Sequence, residues 1–225
     1  MAVKNRIVVD SYPKSTVTEA FRSFRTNLQF TKIDQELKIL MFTSAGPDEG
    51  KSTVAANTGI IFANAGKKVL IIDCDLRKPV QHQIFQKINR GLTDYLSGDC
   101  EIYSLIQHTT NRNVDLLTSG PIPPNPAELL GTTKIQQLFG ELRKKYDYLI
   151  IDVPPVIPVT DACVLASKVD GVVLVIGAGI VRPEIAKQAK ELLQKAQGNI
   201  LGVVLNRVEI ESKYASYYCY IEQQN

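Results

Sequence analysis

The sequence predicts an α/β fold built on a doubly wound, mostly parallel sheet of about seven strands, with helices on both faces. Continuous apolar runs at 68–73 and 170–176 indicate strands buried on both sides, since a half-buried strand would alternate apolar and polar residues. Helix-forming segments separate these runs, and repeated strand-helix alternation is typical of a parallel sheet. We therefore expect one domain over residues 1–210 and a distinct tail over 211–225.

The composition is that of an ordinary globular protein, with 44% hydrophobic and 22% charged residues among 225. A formal charge of +3 without an arginine-rich block gives no indication of nucleic-acid binding. The four cysteines are widely spaced and only two histidines occur, so zinc-ligand spacing is absent and a reducing compartment is expected. No signal-peptide core or membrane-length apolar run is seen, so we expect a cytoplasmic protein.

The first predicted helix follows an extended, proline-containing lead-in over residues 1–14. Residues 16–19 have the spacing of a capping box, and the helix is expected to run over 16–30. Three charged side chains at three-residue steps share one broad face of it: Glu19, Arg22 and Arg25. This face is either a solvated surface with an internal Glu–Arg pair or a set of charges that pairs with a neighbouring subunit.

A phosphate-binding stretch is predicted over residues 41–53, where an apolar strand at 39–42 ends in a loop and a helix begins at Lys51. The segment ends in Gly50-Lys51-Ser52, as in the P-loop pattern G-x-x-x-x-G-K-[ST], although Ala45 replaces the first glycine. Loop amides and the helix N-terminus would cradle phosphates, with Lys51 reaching the β and γ phosphates and Ser52 ligating Mg²⁺. The alternative is an ordinary strand-to-helix turn.

Carboxylates end two further predicted strands. Asp73 ends the strand at 68–73 and Asp75 follows it, and Asp152 ends the strand at 148–152 in a Walker B arrangement. Because the carboxyl ends of parallel strands face the ligand crevice, these side chains are expected near the P-loop. A single carboxylate could merely cap a helix, but a pair beside a magnesium site is harder to explain that way.

The remaining segments carry less chemistry. Gly66 is expected to end the helix after the P-loop in a left-handed conformation, and residues 80–110 to form short helices and turns. A strand at 114–117 leads into a proline-rich loop, where Asn125 caps and Pro126 starts a helix. The loop could line the site or serve as a rigid connector. Further strands at 170–176 and 200–207 flank a helix at 183–197.

The last fifteen residues differ in kind from the rest of the chain. They lack the aliphatic residues of a buried strand and the apolar stripe of a helix, so a flexible tail with exposed phenols is expected. Local aromatic packing remains an alternative. Four tyrosines fall within seven positions of this tail: Tyr214, Tyr217, Tyr218 and Tyr220.

Taken together, these segments resemble the bacterial tyrosine kinases, the P-loop NTPase family that regulates capsule and exopolysaccharide synthesis, in the form whose kinase is a separate cytoplasmic chain. The resemblance covers nearly the whole length. It rests on six segments in the family's order: the Glu19-x-x-Arg22-x-x-Arg25 motif, residues 44–53, 69–79, 119–130 and 149–155, and the tyrosine tail.

The resemblance implies an ATP-dependent tyrosine kinase with ATP and Mg²⁺ as cofactors. Lys51, Asp73 and Asp75 would be catalytic, with Asp73 accepting the proton of the attacking tyrosine. Ser52, Asp75 and Asp152 would hold the metal. The nucleotide would lie against a larger set: Gly46, Asp48, Glu49, Gly50, Lys51, Ser52, Thr53, Asn206 and Arg207. The last two match the position where related ATPases contact adenine.

The resemblance also implies a ring-shaped homo-oligomer, held by Glu19, Arg22 and Arg25, in which each tail enters the neighbouring subunit's site and is phosphorylated in trans. Other implied partners are the cytoplasmic segment of a transmembrane activator, which would recruit the chain to the inner face of the membrane, protein-tyrosine substrates and a phosphotyrosine phosphatase.

Two rival functions fit parts of this sequence. The main one is an ATPase switch of the partition or septum-positioning type, which shares the fold and the P-loop. Those proteins carry an additional lysine at the start of the loop, where this chain has Gly46, and a membrane-targeting helix or basic DNA-binding surface that is not visible here. The other is a nucleotide-dependent scaffold whose tail serves only for docking.

Overall fold

The computed structural model describes residues 6–31, 36–98 and 100–209. Its centre is a seven-stranded sheet in the order β3-β4-β2-β5-β1-β6-β7, in which only β3 is antiparallel to its neighbour. The strands are β1 (Ile39–Ser44), β2 (Val69–Asp73), β3 (Gln107–His108), β4 (Val114–Leu117), β5 (Tyr148–Asp152), β6 (Gly171–Gly177) and β7 (Ile200–Asn206).

Helices cover both faces of this sheet. They are α1 (Val8–Ser11), α2 (Thr16–Phe30), α3 (Lys51–Ala63), α4 (Gln81–Ile84), α5 (Leu92–Ser97), α6 (Pro126–Gly131), α7 (Thr133–Leu142), α8 (Asp161–Ala166) and α9 (Pro183–Lys195). None of the helices in the described part of the chain combines the length and apolarity needed to cross a membrane.

The two faces of the sheet form two hydrophobic cores. Leu40, Phe42 and Ile150 point to the face covered by α1 to α4, whereas Met41 and Ile151, one residue along the same strands, point to the face covered by α5 to α9. The continuous apolar runs follow from this arrangement, because every position of β1, β2 and β6 is buried. The predicted doubly wound sheet is confirmed.

Helix α3 lies directly behind the predicted P-loop, and it is buried along almost its whole length. The side chain of Phe62 on α3 packs against the ring of Tyr148 at 4.1 Å between centroids. Gly59 allows close approach to β2, since a Cβ there would lie 2.8 Å from a methyl of Ile71. The loop before α3 is therefore mounted on a rigid helix.

Two predictions near the N-terminus are wrong. Residues 8–11 were expected to be extended, but they form α1. The helix starts there because the buried side-chain oxygen of Asn57 on α3 accepts the backbone N–H groups of Val8 and Val9 at 2.8 and 3.0 Å. Helix α2 has no capping box at residues 16–19: its N-cap is Ser15, whose Oγ accepts the Thr18 N–H at 3.2 Å.

Other boundaries were predicted closely. Gly66 has φ of +80°, as expected for a left-handed residue that ends a helix. Pro126 does start α6, but the Asn125 side chain makes no capping hydrogen bond. The two-residue strand β3 falls inside the segment 80–110, for which only helices and turns were predicted. The expected tail, residues 211–225, lies outside the described residues.

Candidate functional site

The candidate site lies at the edge of the sheet where the carboxyl ends of β1, β2, β5, β6 and β7 meet. The P-loop connects β1 to α3 there, and the N-terminus of a helix is a place where backbone amides can bind an anion. Gly50 is the N-cap of α3 with φ of +92°, a left-handed conformation that glycine adopts without strain. Asp48 precedes it, exposed and also left-handed with φ of +60°.

Glu49 braces the P-loop from within. Its side chain is fully buried, and its two carboxylate oxygens accept the backbone N–H groups of Gly46 at 2.6 Å and of Gly177 at 2.8 Å. Asn206 completes the brace by donating from Nδ2 to the Glu49 carbonyl at 2.9 Å. Glu49 and Asn206, predicted to lie against the nucleotide, therefore tie the loop to the ends of β6 and β7. Arg207 is exposed at the end of β7.

The side chain of Lys51 lies among the predicted magnesium ligands. Its Nζ is 2.8 Å from Oδ2 of Asp75, 3.2 Å from Oδ1 of Asp152 and 3.1 Å from Oγ of Ser52. Burial by itself lowers the pKa of Lys51, but the carboxylates of Asp152 and Asp75 outweigh it and raise the pKa above its ordinary value. The lysine is therefore a charged counter-ion, and Thr53 follows on the same helical turn, half-buried.

Asp73, like Asp152, is fully buried. It is the register partner of Asp152 on the neighbouring strand, and its oxygens accept the backbone N–H groups of Asp75 at 3.1 Å, Val80 at 3.0 Å and Gln81 at 2.9 Å. Burial, followed by the charge of Asp152, raises the pKa of Asp73 well above its ordinary value, although the hydrogen bond from Gln81 opposes the shift. A raised pKa favours a carboxylate that takes up a proton.

The donor set fits Mg²⁺. The hydroxyl of Ser52 and the carboxylates of Asp75 and Asp152 all contact the Lys51 ammonium, so this position already accommodates a cation. Oxygen atoms of this kind are the ligands that Mg²⁺ prefers. Among the described residues, no group of three or more His, Cys, Asp or Glu side chains could hold a metal by itself. Such a site matches a magnesium ion that is held jointly by one or two carboxylates and the phosphates of a nucleotide.

Two contacts at the site were missed by sequence reasoning. Arg77 donates from Nε and Nη2 to both oxygens of Asp161 at 3.0 to 3.2 Å, which fixes the segment after β2 to the start of α8. Gln81 donates from Nε2 to Asp152 at 2.8 Å and to the Ser52 carbonyl at 3.0 Å. Arg77 lies inside the segment 69–79 on which the resemblance rests, but nothing in the local sequence marks Gln81 or Asp161.

The predicted interface residues lie on α2, which packs on the outer side of α3. Arg22 forms an ion pair with Glu19 and donates to the Pro13 carbonyl at 3.1 Å, and Arg25 donates to the Ile61 carbonyl at 3.2 Å. The internal pair of Glu19 and Arg22 matches the solvated-face interpretation, and the role of the three charges at a subunit interface stays a prediction. The predicted phosphoacceptors, Tyr214, Tyr217, Tyr218 and Tyr220, lie outside the described residues.

The sequence of this chain is similar to a known protein family and to curated tyrosine-protein kinases. Residues 38–180 match the family model described as an AAA domain. The chain is 42% identical to tyrosine-protein kinase YwqD of Bacillus subtilis, over 99% of this chain and 94% of that protein. It is 43% identical to the putative tyrosine-protein kinase CapB of Staphylococcus aureus, over 96% of this chain and 95% of that protein.

Solved structures with a similar fold include CapA2B2 and, at a lower TM-score, MinD. The chimerical protein CapA2B2 superposes with a TM-score of 0.87 at 40% identity, covering 92% of this chain and 91% of that one. The septum site-determining protein MinD from Pyrococcus horikoshii, solved with Mg-ADP, reaches a TM-score of 0.65 at 26% identity, covering 81% of this chain and 77% of that one. The comparisons thus favour the kinase over the ATPase switch.

Proposed function

The chain belongs to the bacterial tyrosine kinases and is a protein-tyrosine kinase, and from that premise we propose that it transfers the γ-phosphoryl group of ATP to tyrosines in residues 214–220 of a neighbouring subunit. Through this autophosphorylation in trans it would regulate capsule or exopolysaccharide synthesis. The observation that carries the proposal is the convergence of Lys51, Asp75 and Asp152 beside the P-loop.

Binding of the triphosphate follows from the loop and its charges. On nucleotide entry the Lys51 ammonium leaves its carboxylate partners for the β and γ phosphates, and the amides at the N-terminus of α3 donate to the same oxygens. Asp75, Asp152 and Ser52 would then hold Mg²⁺, which supplies charge neutralisation on the phosphates when bound. The MinD structure with Mg-ADP supports nucleotide and Mg²⁺ as ligands of this fold.

In the transfer step, the phenol oxygen of tyrosine bonds to the γ phosphorus while the bond from that phosphorus to the oxygen bridging to the β phosphate breaks. ADP leaves with the electron pair of the broken bond. The phenol proton passes to the Asp73 carboxylate. Its raised pKa makes this carboxylate a stronger base than an ordinary aspartate and brings it closer to the ordinary pKa of tyrosine, which is near 10. Lys51 and the loop amides stabilise the charge that spreads over the transferred group.

Assembly would supply the substrate. In the proposed ring, Glu19, Arg22 and Arg25 of α2 pair with an adjacent subunit, and phosphate on the tail loosens the ring by adding negative charge. A cytoplasmic segment of a transmembrane activator would recruit the chain to the inner face of the membrane. Protein-tyrosine substrates and a phosphotyrosine phosphatase would complete the cycle.

The decisive contrast with an ATPase switch is the fate of the γ phosphate. Purified protein incubated with Mg²⁺ and ATP should form phosphotyrosine, which is read by mass spectrometry, and Lys51→Met should form none. Release of inorganic phosphate without any phosphotyrosine, even when a fragment of the activator is present, would overturn the kinase proposal for the tail and favour the switch.

A further inference from the structure

Gln81, the first residue of α4, has an amide enclosed entirely within the protein. The residue is fully buried, and burial of a polar amide is unfavourable unless it forms hydrogen bonds. Its Nε2 donates to Oδ2 of Asp152 at 2.8 Å and to the backbone carbonyl of Ser52 at 3.0 Å. Both partners can only accept, so the NH₂ group of the amide must face them.

This contact divides the two oxygens of Asp152 between different partners. Oδ2 is held by Gln81, whereas Oδ1 faces Lys51 Nζ at 3.2 Å on the P-loop side. Without the bond from Gln81, the carboxylate could rotate about its χ2 torsion, because aspartate populates a broad range of χ2 angles. Gln81 therefore fixes which oxygen is presented to the metal position.

The same residue joins three segments of the site. Its backbone N–H donates to Oδ2 of Asp73 at 2.9 Å, and its side chain bonds to Asp152 and to the residue whose hydroxyl is the proposed magnesium ligand. Among the described residues, the Gln81 Oε1 atom is buried without a hydrogen-bond partner. Burying an acceptor without a hydrogen bond lowers stability, so an apolar side chain would fill the same space at lower cost if Gln81 only filled space.

We propose that Gln81 is a positioning residue of the magnesium site, which orients Asp152 through one charge-assisted hydrogen bond and links that orientation to the start of α3. The proposal rests on the proposed function, because it requires that Asp152 takes part in Mg²⁺ binding. Outer-shell partners of this kind change metal affinity by about 10- to 100-fold when they are removed.

The test measures how much Mg²⁺ tightens the binding of ADP. Fluorescent ADP is titrated into the full chain in EDTA and again in Mg²⁺, and the ratio of the two Kd values is taken as the magnesium gain. The variants are Gln81→Met, which keeps the length but removes both donors, and Gln81→Glu, which keeps the shape but replaces the donor by an acceptor. Gln83→Met is the matched control, because Gln83 lies on the same helix and is exposed.

We expect both Gln81 variants to bind ADP in EDTA within about twofold of the unchanged protein and to lose about tenfold or more of the magnesium gain. Gln83→Met should keep the full gain. Thermal unfolding of each variant in EDTA separates positioning from folding, and Gln81→Met serves if Gln81→Glu, which buries an additional carboxylate, does not fold.

Three results would overturn the proposal. One is an unchanged magnesium gain in both Gln81 variants. Another is an equal loss of ADP affinity with and without Mg²⁺ that follows a drop in the unfolding temperature, as expected of a merely structural residue. A third is a missing magnesium gain in the unchanged protein, which would overturn the proposed metal site as well and is thereby distinguished from the other two.

Discussion

Lys51 Nζ lies 2.8 Å from Oδ2 of Asp75, so the lysine that is proposed to bind phosphate is also the counter-ion of a proposed metal ligand. Asp152 shares the same ammonium at 3.2 Å, and the side chains of the three residues are at most 11% exposed. The positive charge within this cluster therefore contributes to folding as well as to nucleotide binding.

Removal of that charge should destabilise the protein. Lys51→Met would leave Asp75 and Asp152 buried and unpaired, so we expect the free energy of unfolding in EDTA without nucleotide to fall by about 3 kcal/mol. Urea unfolding measures this change, with Lys144→Met as the control at an exposed lysine. A Lys51→Met variant as stable as the control would show that the ion pairs of Lys51 with Asp75 and Asp152 do not stabilise the folded protein.

The contact between Gly50 and Asn206 can be tested with two glycines that share a left-handed conformation. An added Cβ at Gly50 would lie 2.1 Å from Asn206 Nδ2, whereas nothing lies within 4 Å of one at Gly66. Gly66→Ala should cost about 1 kcal/mol for backbone strain alone, and Gly50→Ala at least about 1 kcal/mol more from overpacking. Adding Asn206→Ala to Gly50→Ala should recover part of this excess; equal costs at the two glycines in urea unfolding would disprove the close contact.

The pair of Arg77 and Asp161 should respond asymmetrically to mutation. Asp161 has a fully buried side chain and Arg77 one that is 38% exposed. Arg77→Met leaves a buried carboxylate unpaired and should lower the free energy of unfolding by about 3 kcal/mol, whereas Asp161→Asn leaves an arginine that can turn to water and should cost about 1 kcal/mol. A double-mutant cycle should find Arg77→Met less harmful when Asp161 is already asparagine; strict additivity would exclude a coupled pair.

Sequence reasoning found the site residues whose neighbours are set by a general rule. Lys51 and Ser52 lie in a local motif, and Asp73, Asp75 and Asp152 lie at or just after the carboxyl ends of parallel strands, which meet at one edge of the sheet. Gln81 and Asp161 have partners 71 and 84 residues away, and a glutamine or aspartate at a helix start is too common to indicate such a contact. Helix α1 was missed for the same reason, since Asn57, which accepts its first N–H groups, lies 48 residues from Val9.

The charges on α2 give a prediction about assembly. Replacing Glu19, Arg22 and Arg25 together by alanine should shift the mass in solution from an oligomer to a monomer, because the proposed contacts with the next subunit are lost. Light scattering after size-exclusion chromatography measures the mass. Ser23→Ala with Asn27→Ala, at exposed positions of the same helix, is the control. An oligomer that survives the triple substitution would exclude this helix face as the interface.

The central claim is that one subunit phosphorylates the tail of another, and a mixture of two variants tests it most directly. Lys51→Met supplies an intact tail without a working site, and a second variant supplies an intact site with Tyr214, Tyr217, Tyr218 and Tyr220 all replaced by phenylalanine. Their tail peptides differ in mass, so mass spectrometry assigns each phosphate to its chain. With Mg²⁺ and ATP, we predict phosphotyrosine on the Lys51→Met tail only when both variants are present. ATP hydrolysis by the mixture with that tail left unmodified would contradict the account.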